Sequence, residues 1–253
     1  MRKRLVAVIV LALALLGGGG MSTQKAFAED QVDLLLVLAA DISRSLDSTK
    51  FKLQREGYAA ALTNPKVLAA INSVPTGRIA ICFVEWSGAN AQAVIVDWTS
   101  VGDATEAEAL AQRILAAPRL FMERTAIGSA IEYSIGQFGR SPFQAARRVI
   151  DVSGDGTSNA GVEVTVARDK AVDEGITING LAILSEIPLA SNPTHTHPPG
   201  GLLKYYEDNV IGGQGAFALA AENFEAFGRS ILNKLIKEIA AAPDPTGLLM
   251  GRP

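Results

Sequence analysis

Residues 34–40, Leu-Leu-Leu-Val-Leu-Ala-Ala, run without a polar side chain and stop abruptly at Asp41. Such a run reads as a strand buried on both faces, the environment of a parallel sheet covered by helices. Asp41, Ser43 and Ser45 follow at alternate positions beyond its carboxyl end, where open α/β sheets bind their ligands. A carboxylate and two hydroxyls converging there make a hard-oxygen site, and this is the functional lead.

The rest of the chain alternates helix and strand around that run. Asp47 or Ser48 caps a helix to about Leu62, with Phe51, Tyr58 and Leu62 toward the core. Pro65 interrupts it, and a shorter helical piece ends before the turn Pro75-Thr76-Gly77. Residues 78–86 form a second strand. Residues 93–98 form a third, close enough behind Ser87-Gly88-Ala89-Asn90 to pair as an antiparallel hairpin. A helix follows over 103–116, then another after Thr125 with Ile127, Ala130, Ile131, Ile135 and Phe138 on one face. The small residues Gly128, Ser129 and Ala130 in its first turn imply a close backbone approach.

Strand 147–153, helix 161–174 and strand 176–184 continue the alternation, which argues a mostly parallel sheet. Residues 185–201, rich in Pro, Ser, Thr and Gly, read as a loop, 202–209 as a short helix and 216–220 as a short final strand. Asn223 caps a last amphipathic helix through Phe224, Phe227, Ile231, Leu235 and Ile239. The expected fold is one doubly wound, Rossmann-like α/β domain. It has a mostly parallel sheet of about six strands, one antiparallel edge strand and helices on both faces.

The amino terminus belongs to export rather than to the fold. Arg2, Lys3 and Arg4 precede twelve apolar residues, Leu5 to Leu16, and Ala26-Phe27-Ala28 is a small-x-small cleavage signature. Twelve residues fall short of the about 20 that span a bilayer, so the expectation is a signal peptide over 1–28, cut after Ala28. The domain then covers 29–242, with a flexible tail over 243–253 and no stable membrane span after cleavage. The mature chain is placed in the periplasm or the medium. Cleavage removes four basic residues and no acidic ones, taking the net charge from −3 to −7. An acidic chain without a basic run does not suit nucleic acid but can recruit a divalent cation. Cys82, the only cysteine, excludes an intramolecular disulfide and sits in an apolar strand as a small hydrophobe.

Three distant segments end or begin at one edge of the inferred sheet. They supply Asp41, Ser43 and Ser45 after the first strand, Thr125 before a helix, and Asp155 after a central strand. Two carboxylates balance the charge of Mg²⁺, and hydroxyls add neutral oxygens; Mn²⁺ suits the same set. Each motif alone has a plainer reading, since serines after a strand cap helices, Asp155 between glycines marks a turn, and Thr125 is a possible N-cap.

Together the segments resemble the von Willebrand factor type A domain with its metal-ion-dependent adhesion site. Its Asp-x-Ser-x-Ser is Asp41-Ile42-Ser43-Arg44-Ser45, its threonine motif is Thr125-Ala126-Ile127-Gly128-Ser129-Ala130-Ile131, and its Asp-Gly is Asp155-Gly156. More narrowly, the chain is similar to the secreted bacterial group of such domains catalogued as DUF1194. The resemblance implies that Asp41, Ser43, Ser45, Thr125 and Asp155 hold Mg²⁺ directly or through water. A protein partner's Asp or Glu would complete the shell, with no catalysis. It has no account of Asp151, set inside the strand 147–153 where that family has apolar residues, which pairs with Arg147 or Arg148 or backs the metal. It assigns no role to residues 185–201.

Two alternatives compete with this reading. Gly154-Asp155-Gly156-Thr157-Ser158-Asn159 is also similar to the acidic loop of haloacid-dehalogenase-like phosphohydrolases, but the general acid expected two residues after Asp41 is Ser43. A non-catalytic structural role in the cell envelope is the other. No Gly-x-Ser-x-Gly nucleophile elbow occurs. His195-Thr196-His197, set among Pro193, Pro198 and Pro199, reads as a solvated loop without a third ligand. Trp86 and Trp98 are either exposed partner contacts or buried against a helix.

Overall fold

The computed structural model describes residues 31–241. The expected signal segment 1–28 with its cleavage point, both ends of the expected 29–242 domain and the expected tail 243–253 lie outside the described residues. A six-stranded sheet has the order β3-β2-β1-β4-β5-β6, with β1 Leu34–Asp41, β2 Ile79–Trp86, β3 Gln92–Val101, β4 Arg147–Gly154, β5 Thr177–Ile183 and β6 Ala218–Ala221. Only β3 runs antiparallel to its neighbour. The helices are α1 Ser48–Leu62, α2 Pro65–Ser73, α3 Ala104–Ala116, α4 Ile127–Phe138, α5 Val164–Asp173, α6 Pro193–Thr196, α7 Leu202–Tyr205 and α8 Phe227–Ala240. The chain leaves β1 toward β2 and β3 on one side, then returns past it to β4, β5 and β6 on the other. The switch point of the sheet therefore falls beside the end of β1.

Strand periodicity divides the core in two. Leu34, Leu36, Leu38 and Ala40 join Ile79, Ile81 and Phe83 in a layer beneath α1, α2, α3 and α8. Leu35, Val37 and Ala39 join Ala80, Cys82 and Val84 in the opposite layer beneath α4 and α5. The unbroken apolar run of β1 exists because both faces of the central strand are covered. Burial raises the Cys82 thiol to about 12, with a smaller contribution from Asp97, so it stays a protonated core residue. Trp86 and Trp98 are both buried, and the Trp98 indole donates to the Gln137 carbonyl at 3.0 Å.

Several boundaries differ from those expected. β3 runs on to Val101 through Thr99 and Ser100, because pairing continues down to Ile79. Residues 202–209 form one α-turn followed by a π-turn, Tyr206–Val210. The final strand starts two residues late and ends one late, and Asn223 accepts from Ala226 N–H (2.8 Å) in the turn before α8 rather than capping it directly. Phe51 is only half-buried, its ring lying 4.4 Å from the Arg55 guanidinium carbon and 4.9 Å from that of Arg119, whereas Tyr58 and Leu62 enter the core.

Asp151 pairs with neither arginine and does not reach the candidate site. It shares its strand face with Val149 and Ser153, the face toward α8, where Lys234 Nζ lies 2.7 Å from its Oδ1 and 2.5 Å from Glu238 Oε1. Asn179 donates to the same Glu238 oxygen at 2.9 Å. Arg147 instead binds the carbonyls of Glu238 and Ile239 at the end of α8, and Arg148 that of Glu174.

Where α1 crosses α8, a Cβ on Gly57 would lie 2.5 Å from the Phe227 ring and 3.2 Å from Gly228 Cα. Gly57→Ala is therefore expected to lose about 1–3 kcal/mol to overpacking, despite alanine's better helix propensity. Urea unfolding would check this, and an unchanged midpoint would contradict the close crossing.

Candidate metal centre

β1 ends with its last carboxylate inside the protein. Asp41 is fully buried, its carbonyl accepts from Gln54 Nε2 at 2.8 Å, and Oδ1 accepts the Ser43 N–H at 2.7 Å. That Asp-to-backbone bond turns the chain sharply and aims Ser43 and Ser45 back over the strand end. The segment after α3, residues 117–126, has no regular structure and is tied down piecewise. Arg55 holds Glu85 in a double hydrogen bond (2.8 and 2.9 Å) while also binding the Ala117 and Pro118 carbonyls. Arg119 Nη2 donates to the carbonyls of Ile42 and Ser43 at 2.7 and 3.1 Å.

Thr125 and Asn159 then clasp each other. Thr125 N–H donates to Asn159 Oδ1 at 3.0 Å, and Asn159 N–H donates to the Thr125 carbonyl at 2.8 Å. Gly128, expected to permit a close approach, faces the Val162 carbonyl, which a Cβ would meet at 2.2 Å.

The five expected residues are thereby brought together. Ser43 Oγ and Ser45 Oγ are 3.1 Å apart, Thr125 Oγ1 donates to Ser43 Oγ at 3.2 Å, and Ser45 Oγ donates to Asp155 Oδ1 at 2.6 Å. Asp41, Ser43, Thr125 and Asp155 are all buried, and Ser45 is half-buried. Asp41 Oδ2 has no hydrogen-bond partner. It faces Gly154, where a Cβ would sit 3.0 Å from it and 2.7 Å from the equally unpartnered Tyr206 hydroxyl.

The carboxylates disfavour one another's charge. Burial, then the neighbouring Asp155, hold Asp41 well above the usual carboxylate range. Burial likewise raises Asp155, against Ser45, Lys50 and His195, which pull it down. Lys50 Nζ lies 4.0 Å from Asp155 Oδ2. Two buried carboxylates, one with an orphaned oxygen, beside three clustered hydroxyls form a donor set whose hardness and negative charge fit Mg²⁺ or Mn²⁺. No three His, Cys, Asp or Glu side chains are grouped as a metal cluster among the described residues.

One neighbour contradicts its expected place. His195 is buried, while His197 two residues on is exposed. α6 carries His195 into the site, where Nε2 lies 3.4 Å from Thr125 Oγ1 and the carbonyl accepts Thr157 N–H at 2.8 Å. Burial lowers its basicity, Asp155 opposing. Proline and polar residues all round it gave no sign of this; the room for the ring comes from Gly156, where a Cβ would strike the imidazole at 2.2 Å. Asn159 and Arg119 also had no pattern to reveal them, because both act on backbone groups far away in sequence.

The strand order and helical layers define a von Willebrand type A fold, and solved structures agree. Proximal thread matrix protein 1 from the mussel byssus superposes with a TM-score of 0.56 at 14% identity, over 83% of this chain and 49% of that one. A second structure of it, described as having a zinc-occupied MIDAS motif, gives 0.56 at 15% over 83% and 48%. The pilus adhesin SpaC from Lactobacillus rhamnosus GG, in an open conformation, gives 0.58 at 14% over 83% and 30%. The chain thus spans about half or less of these proteins' structures. It matches the family described as "Protein of unknown function (DUF1194)" over residues 31–243, and it belongs to that family. No curated protein sequence matches it.

Proposed function

We propose that this chain is an exported binding module that holds Mg²⁺, or Mn²⁺, at Asp41, Ser43, Ser45, Thr125 and Asp155 and uses the ion to bind a protein ligand through its Asp or Glu. The observation that carries the reading is the meeting of three hydroxyls and two buried carboxylates from three distant segments, with Asp41 Oδ2 left without a partner. An ion there would supply the charge that the carboxylates lack, and a partner carboxylate would reach it in a partly desolvated setting where ionic contacts are strong. The zinc-occupied motif of the mussel protein and the adhesin role of SpaC, both on this fold, support the reading. Export rests on the amino-terminal segment; no described helix is long and apolar enough to cross a membrane.

The test is a thermal-shift titration with MgCl₂ and MnCl₂ after chelation. An ion that binds only the folded state adds about 2.7 kcal/mol at a hundred times its Kd. Asp155→Ala is expected to abolish the rise. A wild-type curve unmoved by either ion would end the metal reading.

A further inference from the structure

We propose that the His195 imidazole is a nitrogen ligand of this centre, so that the site favours ions accepting mixed oxygen and nitrogen donors, Mn²⁺, Co²⁺ or Zn²⁺, over Mg²⁺. The proposal rests on reading the oxygen cluster as a metal site. Donors on adjacent corners of an octahedron, each about 2.1 Å from the ion, stand about 3.0 Å apart. Ser45 to Ser43 (3.1 Å) and Ser43 to Thr125 (3.2 Å) follow that spacing, and His195 Nε2 extends the series at 3.4 Å from Thr125 Oγ1. The other ring nitrogen, Nδ1, lies 3.5 Å from both the Thr157 hydroxyl and Asn159 Nδ2; the hydroxyl is the contact that can accept a proton from Nδ1 and so free Nε2, the arrangement of ligating imidazoles.

The backbone is arranged around the same ring. His195 is buried although Asn192, Pro193 and Thr194 before it are exposed. Gly156, next to Asp155, leaves the space that the imidazole fills, since a Cβ there would lie 2.2 Å from both Cε1 and Nε2. Ser45, Thr125, Asn159 and His195 line one cavity of about 230 Å³, so the ring faces the same space as two of the three hydroxyls. Imidazole nitrogen shifts preference toward later first-row ions, whereas an all-oxygen shell suits Mg²⁺.

Pulsed EPR of the Mn²⁺-loaded protein tests this without a substitution. Wild type is expected to show nitrogen modulation that changes to the ¹⁵N pattern when only histidine is ¹⁵N-labelled. In calorimetric titrations, His195→Gln is expected to lower Zn²⁺ and Co²⁺ affinity by about tenfold or more while Mg²⁺ affinity stays within about threefold. Bound Mn²⁺ without histidine modulation, or an unchanged Zn²⁺-to-Mg²⁺ ratio in His195→Gln, would overturn the nitrogen ligand and leave the oxygen site standing. A wild-type protein that takes up none of these ions would overturn both.

Discussion

Replacing Lys234 with methionine is expected to destabilise the folded chain by about 3–5 kcal/mol at pH 8, the usual result of removing one partner from a buried ionic group. Lys234 is fully buried between Asp151 on β4 and Glu238 one turn along α8. Methionine fills similar space but leaves two carboxyls facing each other with no cation. Even the intact triad holds one negative charge too many. Burial, then the neighbouring Glu238, push the Asp151 carboxyl up to about 7 against the pull of Lys234.

The native state therefore keeps a proton that the unfolded chain has released between about pH 4 and 7. Stability falls as pH rises through that window, with the penalty absent below it and complete above it. Asp151→Asn should flatten this contribution and gain on wild type at pH 8. Lys234→Met should recover part of its loss at pH 5, where a carboxyl can hold a proton. Urea unfolding of the three proteins at pH 5 and 8 separates these outcomes. An Asp151→Asn protein with the wild-type pH slope would show that the carboxyl ionises elsewhere in the range.

Asp41→Asn is expected to act in opposite directions with and without metal. In chelator at pH 8 the amide should stabilise by about 1–2 kcal/mol, because it removes a buried charge repelled by Asp155. It keeps an oxygen for the Ser43 N–H. In millimolar Mg²⁺ or Mn²⁺ the ranking should reverse, since wild type gains the binding energy of the ion and the variant does not. Thermal melts in both buffers check the crossing. An Asp41→Asn protein less stable than wild type in chelator would mean that the carboxylate already has a compensating partner.

Sequence logic reached furthest where one local rule governs a segment. The apolar run of β1 announced a strand covered on both sides, and alternate side chains do divide between the two core layers. Asp41, Ser43, Ser45, Thr125 and Asp155 were legible because each sits at the end or start of an element, where topology alone decides which side chains meet. Asp151 was only half legible. Its parity with Val149 put it on one face of β4, but choosing Lys234 over Arg147 required knowing that α8 lies against that face. His195 was illegible, because a four-residue helix inside a proline-rich loop leaves no periodicity, and its burial depends on space left by a glycine nearly forty positions earlier.

The two margins of the sheet bear on how molecules of this kind can associate. β6 offers four residues, too short a template for another chain to extend. β3 is longer, but its pairing with β2 is irregular between Ile81 and Val84, and Asp97 on it is exposed. Short rims, kinked rims and rim charges all discourage a neighbour from zipping on backbone to backbone. Growth of an assembly by strand addition has little purchase on either margin, so contacts with other molecules fall to the loops at the strand ends and to the outer helices.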